Sequence, residues 1–317
     1  MIDITRPGKY TLAVQTPVMA AAGTLGYGSA YSRLLALDKP GAFITNPVTY
    51  NEWSPARGTR VVPLDAGILV HTGHPNPGVR RIIKDYTPEW AKMPIPVIVH
   101  LIASTVEDVR RAVALLDECE PVAAIELGLE DDIRQSDAEA LIKAAVERTE
   151  KPVLVRLPFY DAVYLAYPCA DTGAGALVVA APPRGTARDP RSGRLISGRI
   201  YSPSLQPLVL RMVGRLCQQL QDIPIIGAGG IHSLQDARDY LEAGAVAVQV
   251  DSVTWIKPKL LERIARDLSG KLVTRLSGAF ADEWHPDLGE TELLQRQPPP
   301  AAPAPRPEGD APAQKAR

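Results

Sequence analysis

Cysteine is nearly absent from this 317-residue chain. Its three cysteines, Cys119, Cys169 and Cys217, are odd in number, widely spaced and outside any CxxC pair, which argues against both a disulfide framework and a thiolate metal cluster. An excess of one charge is missing too: 35 Lys and Arg face 36 Asp and Glu, for a formal net charge of −1. Nucleic-acid binders and polybasic membrane anchors need clustered cations, so the expected partner is a small-molecule ligand, with no nucleic acid and no membrane. No run of about 18 apolar residues occurs that could span a bilayer. The start, MIDITRPGKY, has neither the basic residues nor the apolar stretch of a secretory signal. Together these absences predict a soluble, cytoplasmic protein in a reducing compartment.

What is present is one pattern repeated: a short apolar run, a turn residue, then a longer segment with helical spacing. The runs are Thr16 to Gly23, Gly41 to Asn46, Pro96 to Ser104, Val122 to Gly128, Pro152 to Leu157, Ala176 to Pro182, Ile223 to Gly230 and Val246 to Ser252. Helical segments follow, among them STVEDVRRAVALLDE from Ser104, SDAEALIKAAVERT from Ser136 and SLQDARDYLEAG from Ser233. Ser104 and Ser233 have the chemistry of N-caps, each with an acidic residue three positions on. Eight strands that each lead into a helix predict an α/β fold, a (β/α)8 TIM barrel, with strands buried on both faces; a doubly wound open sheet is the other arrangement of the same elements. Pro168 falls within the helix expected after Pro158 and predicts a short or kinked one. The barrel is assigned to residues 1–270 and a C-terminal appendage to 271–296. The Pro- and Ala-rich stretch 297–317 has no large apolar residue to bury and is read as a disordered tail.

Several motifs agree in order with one family. AAGTLGYG (Ala21 to Gly28), PNPG (Pro75 to Gly78), PPRGTARDPRSGR (Pro182 to Arg194), PLVLRMV, IPIIGAGGI and AVQV together resemble the FMN-dependent dihydroorotate dehydrogenase family over roughly Thr16 to Leu268. The resemblance implies an FMN cofactor, with Ala22 and Gly23 in the first flavin loop and the flavin phosphate on Gly229, Gly230 and Ser252. It also implies a homodimer. Where the family has Gly next to the phosphate, this chain has Asp251. Where it has lysines near the flavin, this chain has Asn46 and Arg156. Arg156 keeps a cation that supports a reduced flavin or an anionic ligand; a buried pair with a carboxylate such as Glu126 is the alternative.

Pyrimidine recognition in the family uses asparagine amides, which this chain replaces by Val70, Gly128, Ala181 and Pro182, leaving Asn76 as the substrate-binding candidate. The Cys or Ser base on the loop after strand four has no counterpart in GLEDDIRQSD. Cys119 and Cys217 are read as packing residues within helices. No residue is therefore assigned a catalytic role, and no metal is assigned. His71, His74 and His100 map to the C-terminal mouth of the barrel with Glu130, Asp131 and Asp132, as acid–base or ligand groups or as ordinary strand and loop residues. Three functions follow as candidates. The first is a flavin oxidoreductase of this class, acting on CH–CH, that does not oxidise dihydroorotate by the usual mechanism. The second is a non-catalytic barrel serving as a binding or scaffolding partner, and the third is a metal-assisted or acid–base barrel enzyme.

Overall fold

The computed structural model describes residues 1–269. The appendage and tail expected over 271–296 and 297–317 lie outside the described residues. Eight parallel strands form one sheet: β1 (Val18–Ala20), β2 (Phe43–Ile44), β3 (Val97–Ile102), β4 (Val122–Gly128), β5 (Val153–Arg156), β6 (Ala176–Val179), β7 (Ile225–Ala228) and β8 (Ala247–Val250). Each lies inside one of the eight apolar runs. Their order is β1-β8-β7-β6-β5-β4-β3-β2, the sequential winding of a TIM barrel. At the seam between β1 and β2 the Gly41 N–H donates to the Val18 carbonyl at 2.8 Å.

Eight α-helices surround the sheet among the described residues: α1 (Val79–Trp90), α2 (Val106–Asp117), α3 (Gln135–Val146), α4 (Ala162–Asp171), α5 (Gln206–Gln219), α6 (Leu234–Glu242), α7 (Val253–Ile256) and α8 (Pro258–Leu268). None is long and apolar enough to cross a membrane. The expected alternation fails at β1, which is followed only by a single 3-10 turn, Ser29–Tyr31. The α8 helix takes the vacant flank, where Thr16 Oγ1 donates to the Ala265 carbonyl at 3.1 Å. Two helix starts also differ from expectation. Thr105, not Ser104, caps α2 by accepting the Asp108 N–H at 3.1 Å, and α3 begins at Gln135 with no side-chain cap. The Ser233 cap of α6 is as expected, accepting the Asp236 N–H at 3.1 Å. The α4 helix passes Pro168 and ends three residues later, a short helix of 10 residues.

Both faces of the strands are apolar because each faces a different core. On β3, Val97, Val99 and Leu101 face outward and join Val109, Ala112, Val113 and Leu116 of α2. Alternate residues face the barrel axis, where Met19, Ile44, Ile98, Ala124, Leu154, Val178, Ile226 and Ala247 form a second cluster. Ile4, Leu12 and Val14, from the N-terminal hairpin of Ile2–Asp3 with Ala13–Val14, belong to the same cluster and plug its lower end. Each fully buried aliphatic side chain stabilises the fold by about 1.5–3 kcal/mol, so the lower barrel is a packed core rather than a pore.

Two excursions leave the upper, C-terminal end. The chain after β2 supplies Val61–Leu64 and Gly67–Val70, and the chain after β6 supplies Arg184–Arg188 and Leu195–Tyr201. The four strands pair into one antiparallel sheet. Ser202 Oγ donating to the Ala66 carbonyl at 2.6 Å and Thr59 Oγ1 donating to Asp189 at 2.7 Å bind the two excursions together.

A methyl group at Gly41 would meet the Thr16 carbonyl oxygen at 2.1 Å, a backbone atom that cannot swing aside. Gly41→Ala is therefore expected to destabilise the seam by about 1–3 kcal/mol, the usual cost of overpacking. A lowered midpoint in urea with an unchanged slope is the expected readout.

Candidate functional site at the barrel mouth

The inward columns change character toward the C-terminal end. Two residues above Ile98, Ala124, Leu154 and Ala247 stand His100, Glu126, Arg156 and Gln249, all buried. Side chains two apart on a strand point the same way, so four strands raise one polar residue each into a single layer above the apolar plug. Glu126 is its centre. His100 Nδ1 lies 2.7 Å from Glu126 Oε1, Arg156 Nη1 lies 3.4 Å from the same oxygen, and Gln249 Nε2 donates to Oε2. Arg156 Nη1 also donates to Gln249 Oε1 at 3.0 Å.

Burial alone would drive the Glu126 carboxyl up. The His100 hydrogen bond and the Arg156 charge outweigh it, holding the carboxyl down to about 2. The Arg156–Glu126 pair anticipated as the alternative is thus present, but it does not use the whole guanidinium. Arg156 Nε is buried with no hydrogen-bond partner among the described residues. A buried donor left unpaired costs about 1–3 kcal/mol, a cost that a ligand acceptor would remove.

Above this layer the loops after β7, β8 and β1 converge. Gly229 and Gly230 turn the chain at φ +135° and +68°, and among the described residues neither backbone N–H has an acceptor. Methyl groups there would meet Val209 Cγ2 at 3.2 Å and the Gln206 nitrogen at 2.4 Å, so packing against α5 requires these glycines whatever the turn holds. Ser252 Oγ lies 3.1 Å from His232 Nε2 and 3.2 Å from Asp251 Oδ1. Asp251 also accepts the Ser252 N–H, which removes one donor from the cradle. Burial raises the Asp251 pKa, against the lowering effect of its Ser252 bonds and of Arg156 and His232. Ala22 and Gly23 follow Ala21, whose N–H donates to the Val250 carbonyl at 2.8 Å, and so they adjoin the end of β8. Free N–H groups, a hydroxyl and an unpaired guanidinium nitrogen form a donor set that fits a phosphate at one end and a hydrogen-bond acceptor edge at the other.

The other sequence candidates are held within the chain. The Asn76 amide oxygen accepts from the Thr49 N–H (3.1 Å), Thr49 Oγ1 (3.0 Å) and the Gly78 N–H (3.0 Å), while Nδ2 donates to the His74 carbonyl at 3.1 Å. Its visible task is to shape the loop before α1. Asn46 Oδ1 accepts the Gly26 N–H at 3.0 Å and braces the loop after β1. Asp131 accepts from Arg199 Nη1 at 2.7 Å, and the same nitrogen donates to the Pro182 carbonyl at 2.9 Å. Val70 pairs with Arg199 in the antiparallel sheet.

His74, exposed at the rim yet with its ring crowded by neighbouring atoms, is pushed down to about 4, first by desolvation and then by His100, Arg199 and Arg184. Among the described residues no three His, Cys, Asp or Glu side chains are grouped to hold a metal ion. Cys217 lies in α5 as expected, whereas Cys119 lies just beyond the end of α2. Gln249 and the central place of Glu126 escaped the sequence reading. A signal was there: VIVHL, AAIEL, VLVRL and VAVQV each carry one polar residue inside an otherwise apolar run.

Comparison with known proteins bears on this geometry. Residues 10–272 match the family described as Dihydroorotate dehydrogenase. The chain is 33% identical over 273 residues to the "Dihydroorotate dehydrogenase B (NAD(+)), catalytic subunit" of Pelobacter propionicus, covering 81% of this chain and 90% of that subunit. The protein of the same description from Geobacter metallireducens is 33% identical over 278 residues, covering 83% and 91%.

The lowered Glu126 pKa has a consequence for stability. A carboxyl depressed on folding stabilises the fold above its unfolded value near 4.5 and loses that contribution as pH falls toward about 2. The expected loss over that window is roughly 3 kcal/mol. Glu126→Gln should lack this portion of the acid dependence. At neutral pH it should be less stable by about 3–5 kcal/mol, because Arg156 is left without its counter-charge. Urea midpoints of both proteins between pH 2 and 7 check both statements.

Proposed function

The chain belongs to the dihydroorotate dehydrogenase family, and on that basis we propose that it is a flavin oxidoreductase that holds FMN at the mouth of its barrel and acts on a substrate other than dihydroorotate. The observation that carries the cofactor reading is the orphaned Nε of Arg156, which lies in the same mouth as the unpaired N–H groups of Gly229 and Gly230. Gly229, Gly230 and Ser252 would hold the phosphate, and Ala22 and Gly23 would flank the cofactor from the loop after β1. FMN would supply the acceptor for a hydride, which carries two electrons and a proton.

Arg156 contributes a fixed positive charge and a donor that favour negative charge on whatever lies above it. Because Glu126 and Gln249 anchor its Nη1, the guanidinium keeps its place without a ligand's help. The antiparallel sheet closes one side of the mouth, where Tyr201 meets Trp255 of α7 edge to face at 5.0 Å. A wall of this kind limits water around the reacting groups.

The case against dihydroorotate rests on the substrate side. Val70, Gly128, Ala181 and Pro182 offer no side-chain amide to a pyrimidine edge, and the Asn76 amide is already engaged by Thr49, Gly78 and His74. Sites that hydrogen-bond their substrate owe about 10⁴-fold or more of their discrimination to such groups.

The purified full-length chain is expected to be yellow as isolated, or to become so when FMN is added and free flavin is removed. Mixed anaerobically with dihydroorotate, the bound flavin should bleach at least about 10⁴-fold more slowly than a working member of the family allows. A chain that stays colourless would count against the cofactor. Rapid bleaching would instead restore dihydroorotate as substrate.

A further inference from the structure

We propose that His100, oriented by Glu126, is the proton-accepting residue of this site and takes its proton from a small carbonyl compound with an acidic C–H. Use of the proton in an oxidation rests on the flavin reading above; the geometry of the dyad does not.

His100 and Glu126 are directly opposite each other in the β3–β4 register. With Glu126 held as a carboxylate, its oxygens only accept, so the hydrogen in the 2.7 Å contact sits on His100 Nδ1. In the neutral ring the lone pair is then on Nε2. That nitrogen has no protein partner among the described residues. It is not sealed in either, since the one buried side-chain nitrogen or oxygen lacking a partner among them is Arg156 Nε. Nε2 is therefore unpartnered among the described residues and not fully enclosed, with a carboxylate on the far side of the ring, the arrangement that orients an imidazole base.

The His100 ring occupies the space beside Gly128: a methyl group there would stand 2.8 Å from both Nε2 and Cε1, so the ring would have to shift to admit one. The charged and titratable groups facing the ring are Glu126 of β4, Arg156 of β5 through that carboxylate, and His74 of the loop before α1. With its pKa pushed down to about 4, His74 is neutral near pH 7 and does not oppose a charge on His100. Asp131 is taken up by Arg199 and does not compete for the role.

The step balances without a co-reactant. The C–H bond next to the carbonyl breaks, its proton forms the Nε2–H bond, and its electron pair stays on the ligand as an enolate. The imidazolium so formed is stabilised by Glu126.

Pyruvate, a small member of this class, is the probe. With the full-length protein in D2O, NMR should show deuterium entering its methyl group at least about 10²-fold faster than with His100→Gln. Equal rates would overturn the proposal. A second measurement does not depend on a variant folding: diethyl pyrocarbonate should modify His100 in the wild-type chain, as read by peptide mass spectrometry. His71, with no carboxylate partner among the described residues, serves as the control. His100 left untouched while His71 reacts would sink the idea. A colourless chain that still exchanges pyruvate would remove the flavin reading and keep this one; a yellow chain that does not exchange it would do the reverse.

Discussion

One buried carboxylate organises the upper half of this barrel. Glu126 is fully enclosed, and an ionised group there is tolerable only because His100, Arg156 and Gln249 reach it from three other strands. Each partner is itself buried and depends on Glu126 in turn. The set either stands together or leaves an uncompensated charge in the core, which is why its geometry is rigid before any ligand arrives. The orientation of His100 and the free Nε of Arg156 are both consequences of where that carboxylate sits.

Residues that look unrelated in the sequence are coupled in space. The absence of a side chain at Gly128 is matched by the ring of His100, which fills the volume such a side chain would need. Asp251 brings a carboxylate to the place where a phosphate is expected, and burial raises its pKa against the lowering effect of its Ser252 bonds. Val70 lies in a sheet whose partner residue Arg199 holds Asp131 and the Pro182 carbonyl, tying three loops across the mouth.

Much of the fold was legible because the barrel repeats a local signal. Every apolar run became a strand, and the Ser233 cap followed from short-range chemistry alone. The antiparallel sheet was missed, although VVPLDAGILV has two apolar runs about a two-residue turn and reads as a hairpin. Its pairing partner, Leu195–Tyr201, lies more than a hundred residues on, where no periodicity points back to it. The missing helix after β1 was hidden for a similar reason: α8, from the far end of the barrel, covers that flank.

The sequence by itself determined the eight barrel strands and several of the helices, the α/β class, the family and the polar residue raised by each of four runs. Those properties depend on neighbours along the chain, on alternation along a strand and on caps within one turn. The tertiary structure alone decided which of the polar residues meet. His100 and Glu126 are 26 residues apart, and Gln249 and Glu126 are 123 apart. Their meeting depends on the stagger of parallel strands around a closed barrel, a register that no single segment encodes.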